Sequence, residues 1–225
     1  MITVTDWMHL PVNSVREFVK FIDDTIPGAS AVYFSEDESQ FVKGVDLLLD
    51  AAIRRLEEDA ATHGSLGELT LSTMLSNLIG YAARCEKESY RNGHVDVAIR
   101  HARKQFQYLG ECKIFGGFEK HCAGCNQLLN RYSSGRDARG FVLEFFNRPR
   151  MYELLADLRT NFDQKIPLKM KGSAKSHDHI KGAFLSLHRH FTQTYIEVLH
   201  LGCNLYIPGI SKSKTSKKKS SLKKL

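Results

Sequence analysis

The sequence predicts an α/β fold: a mixed β-sheet flanked by helices, with an N-terminal helical extension. Three observations predict it. Apolar residues in the first sixty positions recur at helical spacing. Val95, Val97 and Ile99 then alternate with His94, Asp96, Ala98 and Arg100, the period of a strand. Further on, a helical segment separates this region from the short apolar run Gly140 to Phe146. Strand–helix–strand order implies a parallel crossover, so the sheet is mixed.

Taken in order, Ser14 can cap a first helix whose Val15, Phe18, Val19 and Ile22 share one side, and Pro27-Gly28 ends it. A second helix is expected from about Ser39 to Ala61, with Phe41, Val45, Leu48, Leu49, Ala52, Ile53 and Leu56 on its apolar side. The acidic run Glu36-Asp37-Glu38 suits its N-terminus, where backbone N–H groups are unpaired. Ser65-Leu66-Gly67-Glu68 has the capping-box pattern, with Ser65 at the N-cap and Glu68 three residues in, and opens a helix to about Tyr81. A strand follows Gly93, and a second leads from Phe106 to Ile114. Gly116-Gly117 stops that strand, and a helix is expected over about Lys120 to Tyr132. The run Gly140 to Phe146 has the uninterrupted apolar character of a central strand buried on both faces. A helix over about Arg150 to Phe162 precedes a hairpin of Ala183 to His190 and Thr194 to Tyr206, where Thr194, Tyr195, Ile196 and Val198 favour strand.

Composition narrows the function. Of 225 residues, 42% are hydrophobic and 25% charged, which suits a chain that buries a core rather than a disordered one. The longest uncharged stretch, Leu69 to Ala83, is polar-interrupted and too short for a membrane span. No basic region followed by an apolar run marks a secretory signal, so a cytoplasmic chain is expected. The formal net charge is +7, but Ser211 to Leu225 holds seven Lys and no acid, leaving 25 basic against 25 acidic residues elsewhere. The chain therefore divides into a helical region 1–64 and an α/β region 65–210, neutral when taken together, and a disordered Lys/Ser-rich tail 211–225. Five cysteines, an odd number, point to free thiols in a reducing compartment.

The chemistry gathers in the middle. If the two central strands pair as a hairpin, Asp96 and Glu111 lie side by side at one sheet edge. Glu111 and Lys113 are two apart on a strand and project from the same face. Two carboxylates beside an ammonium, with hard oxygen donors, suit Mg²⁺ or Mn²⁺. Charges set among Val95, Val97, Leu109 and Ile114 are costly unless something coordinates them.

These residues, Asp96 and then Glu111-Cys112-Lys113, match the D…ExK motif, and in this the chain resembles the PD-(D/E)xK restriction-endonuclease-like superfamily. Gly93-His94-Val95-Asp96 is similar to the superfamily's Gly-x-x-Asp lead-in. Glu111-Cys112-Lys113-Ile114-Phe115-Gly116-Gly117 with Asn126-Gln127-Leu128-Leu129 resembles the "ECK…QLL" signature of a bacterial nuclease subgroup. Arg136-Asp137 and the strand Phe141 to Asn147 fit the same pattern, over about Glu68 to Tyr206. The span from Gln127 to Arg136 is one residue longer than in that subgroup.

The resemblance implies a restriction-endonuclease-like core and a Mg²⁺- or Mn²⁺-dependent deoxyribonuclease. It further implies the nuclease component of a bacterial defence system against foreign DNA. It assigns catalysis to Asp96, Glu111, Lys113 and Gln127. The metal would be held by Asp96, Glu111 and the backbone carbonyl of Cys112, completed by an acid from the preceding helix, Glu68 or else Glu86. The alternative is a catalytically silent nuclease fold that acts through protein contacts of its N-terminal helices. In either case those helices are expected to meet a partner or a second copy.

Two further groupings read as structural. His121, Cys122 and Cys125 form an HCxxC cluster without a second ligand pair, so these thiols are expected to pack a helix. His177, His179, His188, His190 and His200 are expected on a solvent- or DNA-facing surface rather than as a metal cluster. Arg136-Asp137 reads as a local ion pair or helix-end cap.

Overall fold

The computed structural model describes residues 15–90 and 94–209. Ser14, the Gly93 turn and the Lys-rich tail lie outside them. The elements run α1 (Val15–Thr25), α2 (Ala29–Phe34), α3 (Glu38–Glu58), α4 (Ala60–His63), α5 (Glu68–Gly80), β1 (Arg84–Tyr90), β2 (His94–Arg100), β3 (Gln107–Ile114), α6 (Phe118–Gln127), β4 (Arg139–Phe146), α7 (Met151–Lys165), β5 (Lys175–Ser176), β6 (Phe184–Arg189) and β7 (Tyr195–Asn204). Among the described residues, seven strands form one mixed sheet in the order β1-β2-β3-β4-β7-β6-β5. Pairings are antiparallel at both ends and parallel for β3–β4 and β4–β7. The α/β fold with a mixed sheet flanked by helices is thus present. Among the described residues no helix is long and apolar enough to cross a membrane.

Each face of the sheet has its own core. On one, α3 and α5 pack Phe41, Leu49, Leu56, Leu71 and Leu75 against Val97, Tyr108, Phe141 and Leu143. On the other, α6, the turn after it and α7 pack Cys125, Leu128, Leu155 and Phe162 against Leu109, Val142 and Val198. β4 lies between β3 and β7 and is buried on both faces, the place its apolar sequence predicts. The apolar side of α3 is buried as expected, and Asp37 caps it by accepting from the Gln40 N–H at 2.9 Å.

Asp46 of α3 ties that helix to the sheet. Its carboxylate accepts from the Tyr108 hydroxyl at 2.7 Å and from Arg139, and it lies 3.1 Å from His177 Nε2. α1 contributes no buried residue and leaves Val15, Phe18 and Phe21 exposed.

Four sequence expectations change. The capping box at Ser65 does not form: Gly67 is the N-cap, Ser65 Oγ bonds to the Thr62 carbonyl, and Glu68 turns elsewhere. Four elements are added: the short α2, α4 and β5, and the edge strand β1. β1 reads Arg-Cys-Glu-Lys-Glu-Ser-Tyr, the charge-rich make-up that keeps an edge strand from pairing with other chains. The helix that begins at Phe118 continues past Gln127 as a π-turn over Leu128–Tyr132. Finally, His188, His190 and His200 do not face solvent; they are buried.

Candidate active site

β2 and β3 pair antiparallel with Val97 opposite Gly110, so the next step along the ladder brings Asp96 level with Glu111. Asp96 Oδ2 accepts from the Cys112 N–H at 2.8 Å, which fixes the carboxylate across the strand pair. Glu111 and Lys113 point from β3 towards α6, where Gly124 lets the helix lie close over their side chains. A Cβ at Gly124 would stand 3.5 Å from Lys113 Cγ and 3.6 Å from Glu111 Cγ. Cys112, between them, turns its thiol to the opposite core.

Glu68 arrives from the first turn of α5. Its Oε2 accepts from the Ile114 N–H at 2.9 Å, and its Oε1 lies 3.3 Å from Lys113 Nζ. Lys120 of α6 is 3.4 Å from the same carboxylate and donates to the Ile114 carbonyl at 2.9 Å. The pull of these two ammonium groups and of the Ile114 N–H displaces Glu68 from the capping box. Glu86, the alternative acid, lies on β1 in ion pairs with Arg84 and Arg100.

Lys113 Nζ is 2.5 Å from Glu111 Oε1, and the Glu111 side chain is 2% exposed. Burial, reinforced by Asp96, pushes the Glu111 carboxyl up to about 7, although Lys113 draws it the other way. Burial works against the Lys113 charge, but the Glu111 hydrogen bond and the surrounding acids outweigh it and hold Lys113 above the ordinary lysine range. Glu68 is lowered despite burial, because the Ile114 N–H and Lys113 favour its charged form. At this site Glu111 Oε2 and Gln127 Oε1 are buried and have no hydrogen-bond partner among the described residues, as is true also of Glu144 Oε2 on β4. Buried acceptors normally find a donor, so an oxygen left over marks a place for something the chain itself does not supply.

The structure therefore brings Asp96, Glu111, Lys113 and Glu68 together at the carboxyl end of β3, with Gln127 on the helix that covers them. Sequence reasoning missed Lys120 and Tyr132. Tyr132 is buried, and its hydroxyl is raised by burial and then by the charges of Glu111 and Asp96. The signal for Lys120 was its position just after Gly116-Gly117, where the chain turns back over β3. Asp137 is buried in a loop clasp, accepting from Gln107 Nε2 at 2.6 Å and Ser133 Oγ at 2.9 Å. Arg136 lies in a cleft of about 760 Å³ with Arg84, Arg100, Arg103 and Lys104. Compared with protein-family models, curated proteins and solved structures, the chain matches none.

Proposed function

We propose that this protein is a divalent-metal-dependent deoxyribonuclease that hydrolyses phosphodiester bonds, leaving a 3′-hydroxyl and a 5′-phosphate. The observation that carries the reading is the grouping of Asp96, Glu111 and Lys113 beneath α6, with one buried glutamate oxygen unpartnered. The donor set fits Mg²⁺ or Mn²⁺: Asp96 and Glu111 offer hard oxygens, the Cys112 carbonyl follows directly after Glu111 in sequence, and Gln127 Oε1 is buried without a partner among the described residues. An ion held there supplies a more acidic bound water and positive charge beside the phosphate. Glu68 has both oxygens engaged, so its role here is to hold Lys113 rather than to ligate.

The protein's own groups do the rest. Lys113, kept charged by Glu111 and Glu68, orients the attacking water and offsets the negative charge that builds on the phosphate oxygens. Asp96 is held in place by the Cys112 N–H. The cleft of Arg84, Arg100, Arg103, Lys104 and Arg136 begins four residues along β2 from Asp96, roughly 13 Å away at strand rise. On this reading its positive charge draws in the DNA backbone. Action against foreign DNA is the setting that the sequence resemblance suggests for such an enzyme.

A second reading has its own support. α1 exposes Val15, Phe18 and Phe21, as a helix that meets a partner would, and on this reading the fold binds rather than cuts. One assay separates the two: cleavage of plasmid and linear DNA with Mg²⁺ or Mn²⁺ by wild type, Asp96→Ala and Lys113→Ala. The nuclease reading expects each variant to lose at least about 10²-fold in rate. Equal cleavage by all three would sink the site. No cleavage by wild type, with a protein captured through α1, would favour the binding module.

A further inference from the structure

Behind the proposed active site, between α6 and the sheet, runs an unbroken chain of buried polar contacts. Glu144 Oε1 lies 2.9 Å from His121 Nδ1, and His121 Nε2 lies 2.7 Å from His200 Nδ1. His200 Nε2 is 2.6 Å from Ser186 Oγ, which is 2.6 Å from His188 Nε2. His188 Nδ1 closes the chain on the Leu168 carbonyl at 3.1 Å. Glu144, His121, His188 and His200 are each 0% exposed, and Ser186 is 1%. Aromatic rings wall them in. Phe184 stacks on His200 at 4.1 Å, and Phe162 sets its edge against His121, His188 and His200.

With Glu144 taken as the carboxylate and each imidazole as neutral, both ends of the chain accept, and each proton then has one place. Leu168 requires an N–H at His188 Nδ1, so His188 Nε2 is a lone pair that takes the Ser186 proton. Ser186 Oγ then accepts from His200 Nε2–H, which leaves His200 Nδ1 as a lone pair. From the other end, the Glu144 carboxylate requires an N–H at His121 Nδ1, which leaves His121 Nε2 as a lone pair. Three neutral imidazoles and one hydroxyl supply four protons for five contacts. The deficit falls at one place: the two lone pairs that face each other between His121 and His200.

We infer that this gap is a site for one zinc-class divalent metal ion, ligated by His121 Nε2, His200 Nδ1 and Cys125 Sγ. One ligand atom from each of these three buried residues lies within 4.8 Å of the other two. His121 and Cys125 are four apart on α6, so one helix face carries both. A shared proton would bridge the two histidines but would leave the thiol without a part. Imidazole and thiolate together select a borderline-soft ion rather than Mg²⁺. Two nitrogens on a tetrahedral zinc stand roughly 3.3 Å apart, so the pair needs to open by only about half an ångström. Both imidazoles already have an outer partner. Glu144 holds His121 through its other nitrogen, and Ser186 does the same for His200. The ion with one thiolate and the Glu144 carboxylate sums to zero charge, as a dry interior requires.

The ion would tie α6, which carries Gln127 and Gly124 over the proposed active site, to β7 across β4. The site stands whether or not the chain cuts DNA. The sequence pattern alone disfavours both halves of it, the HCxxC cluster and the later histidines, because neither half is complete.

The test is metal analysis of the full-length chain purified without added metal or chelator, and after reconstitution with Co²⁺. The expected result is about one zinc per chain. Co²⁺ would give a thiolate-to-metal absorption band that Cys125→Ser abolishes and Asp96→Ala leaves intact. His121→Gln and His200→Gln would each lose the metal. A folded wild-type chain with no zinc and no cobalt–thiolate band would overturn the assignment and leave a shared proton in the gap. Loss of the band in Asp96→Ala would also overturn it, by placing the ion at the other site.

Discussion

Glu111 sits where burial, two other acids and one lysine compete, and its protonation has a direct consequence for stability. Its carboxyl is raised from 4.5 to about 7, first by burial and then by Asp96. The folded chain therefore holds this proton to higher pH than the unfolded chain does. Stability from this group falls as pH rises from about 4.5 to about 7 and is level above that. Each tenfold change in proton affinity is worth about 1.4 kcal/mol, so the loss is roughly 3 kcal/mol at most. Glu111→Gln removes the titration. In chelator it should be more stable than wild type at pH 8 and similar at pH 5, as measured by chemical denaturation. Mg²⁺ should restore wild type at pH 8 by binding the ionised form, and should do nothing for the variant. The same pH slope in both proteins would show that Glu111 is not the group responsible. The residues of this site were legible in the sequence because a strand fixes faces by counting: two steps join Glu111 to Lys113, and a hairpin joins Asp96 to both. Glu68 was harder. Ser65-x-x-Glu68 is a local pattern, and only the fold reveals the Ile114 N–H and the two lysines that outcompete it.

At the scale of elements, how closely a helix or strand can approach its neighbour is decided by two glycines with opposite expectations. Gly110 lies on β3 with Phe141 pressed against it, and a Cβ there would stand 2.0 Å from the ring. Phe141 is fully buried and has nowhere to retreat. Gly110→Ala should cost about 1–3 kcal/mol or more through overpacking. Gly124, on α6, would place its Cβ at ordinary contact distance from Glu111, Lys113 and Val142. Gly124→Ala should be neutral or stabilising by up to about 1 kcal/mol, since alanine suits a helix interior better. Urea denaturation midpoints of the two variants would settle this, and destabilisation of equal size in both would refute the contrast. Neither contact can be read from the sequence, because each depends on which element lies opposite. The same holds for the histidines. His121 and His200 meet only because β4 separates β3 from β7, a pairing that joins positions 79 residues apart. β1 is hidden for a different reason: its charges mask the alternation that betrays a half-buried strand.

For the whole molecule, a body with balanced formal charge must still attract a polyanion if it is to cut one. The folded region holds a basic cleft, but Glu36 pairs with Lys104, and Glu86 with Arg84 and Arg100, so its field is partly cancelled. The seven lysines of residues 211–225 have no acid among them. Each phosphate neutralised contributes about −0.9 to the slope of log affinity against log salt. Five to seven tail contacts would give roughly −4 to −6, and the partly paired cleft about −2 to −4. Truncation after Ile210 should therefore weaken DNA binding and remove more than half of the salt dependence. Arg103→Ala with Arg136→Ala should remove a smaller share. Neither change should alter the divalent-metal requirement, because neither removes Asp96, Glu111 or Lys113. Any sequence preference should survive truncation too, since base edges are read by ordered side chains and not by a run of lysines. Titration of a labelled duplex at several salt concentrations measures all of this at once. An unchanged slope after truncation would assign the attraction to the cleft and leave the tail without a part in binding.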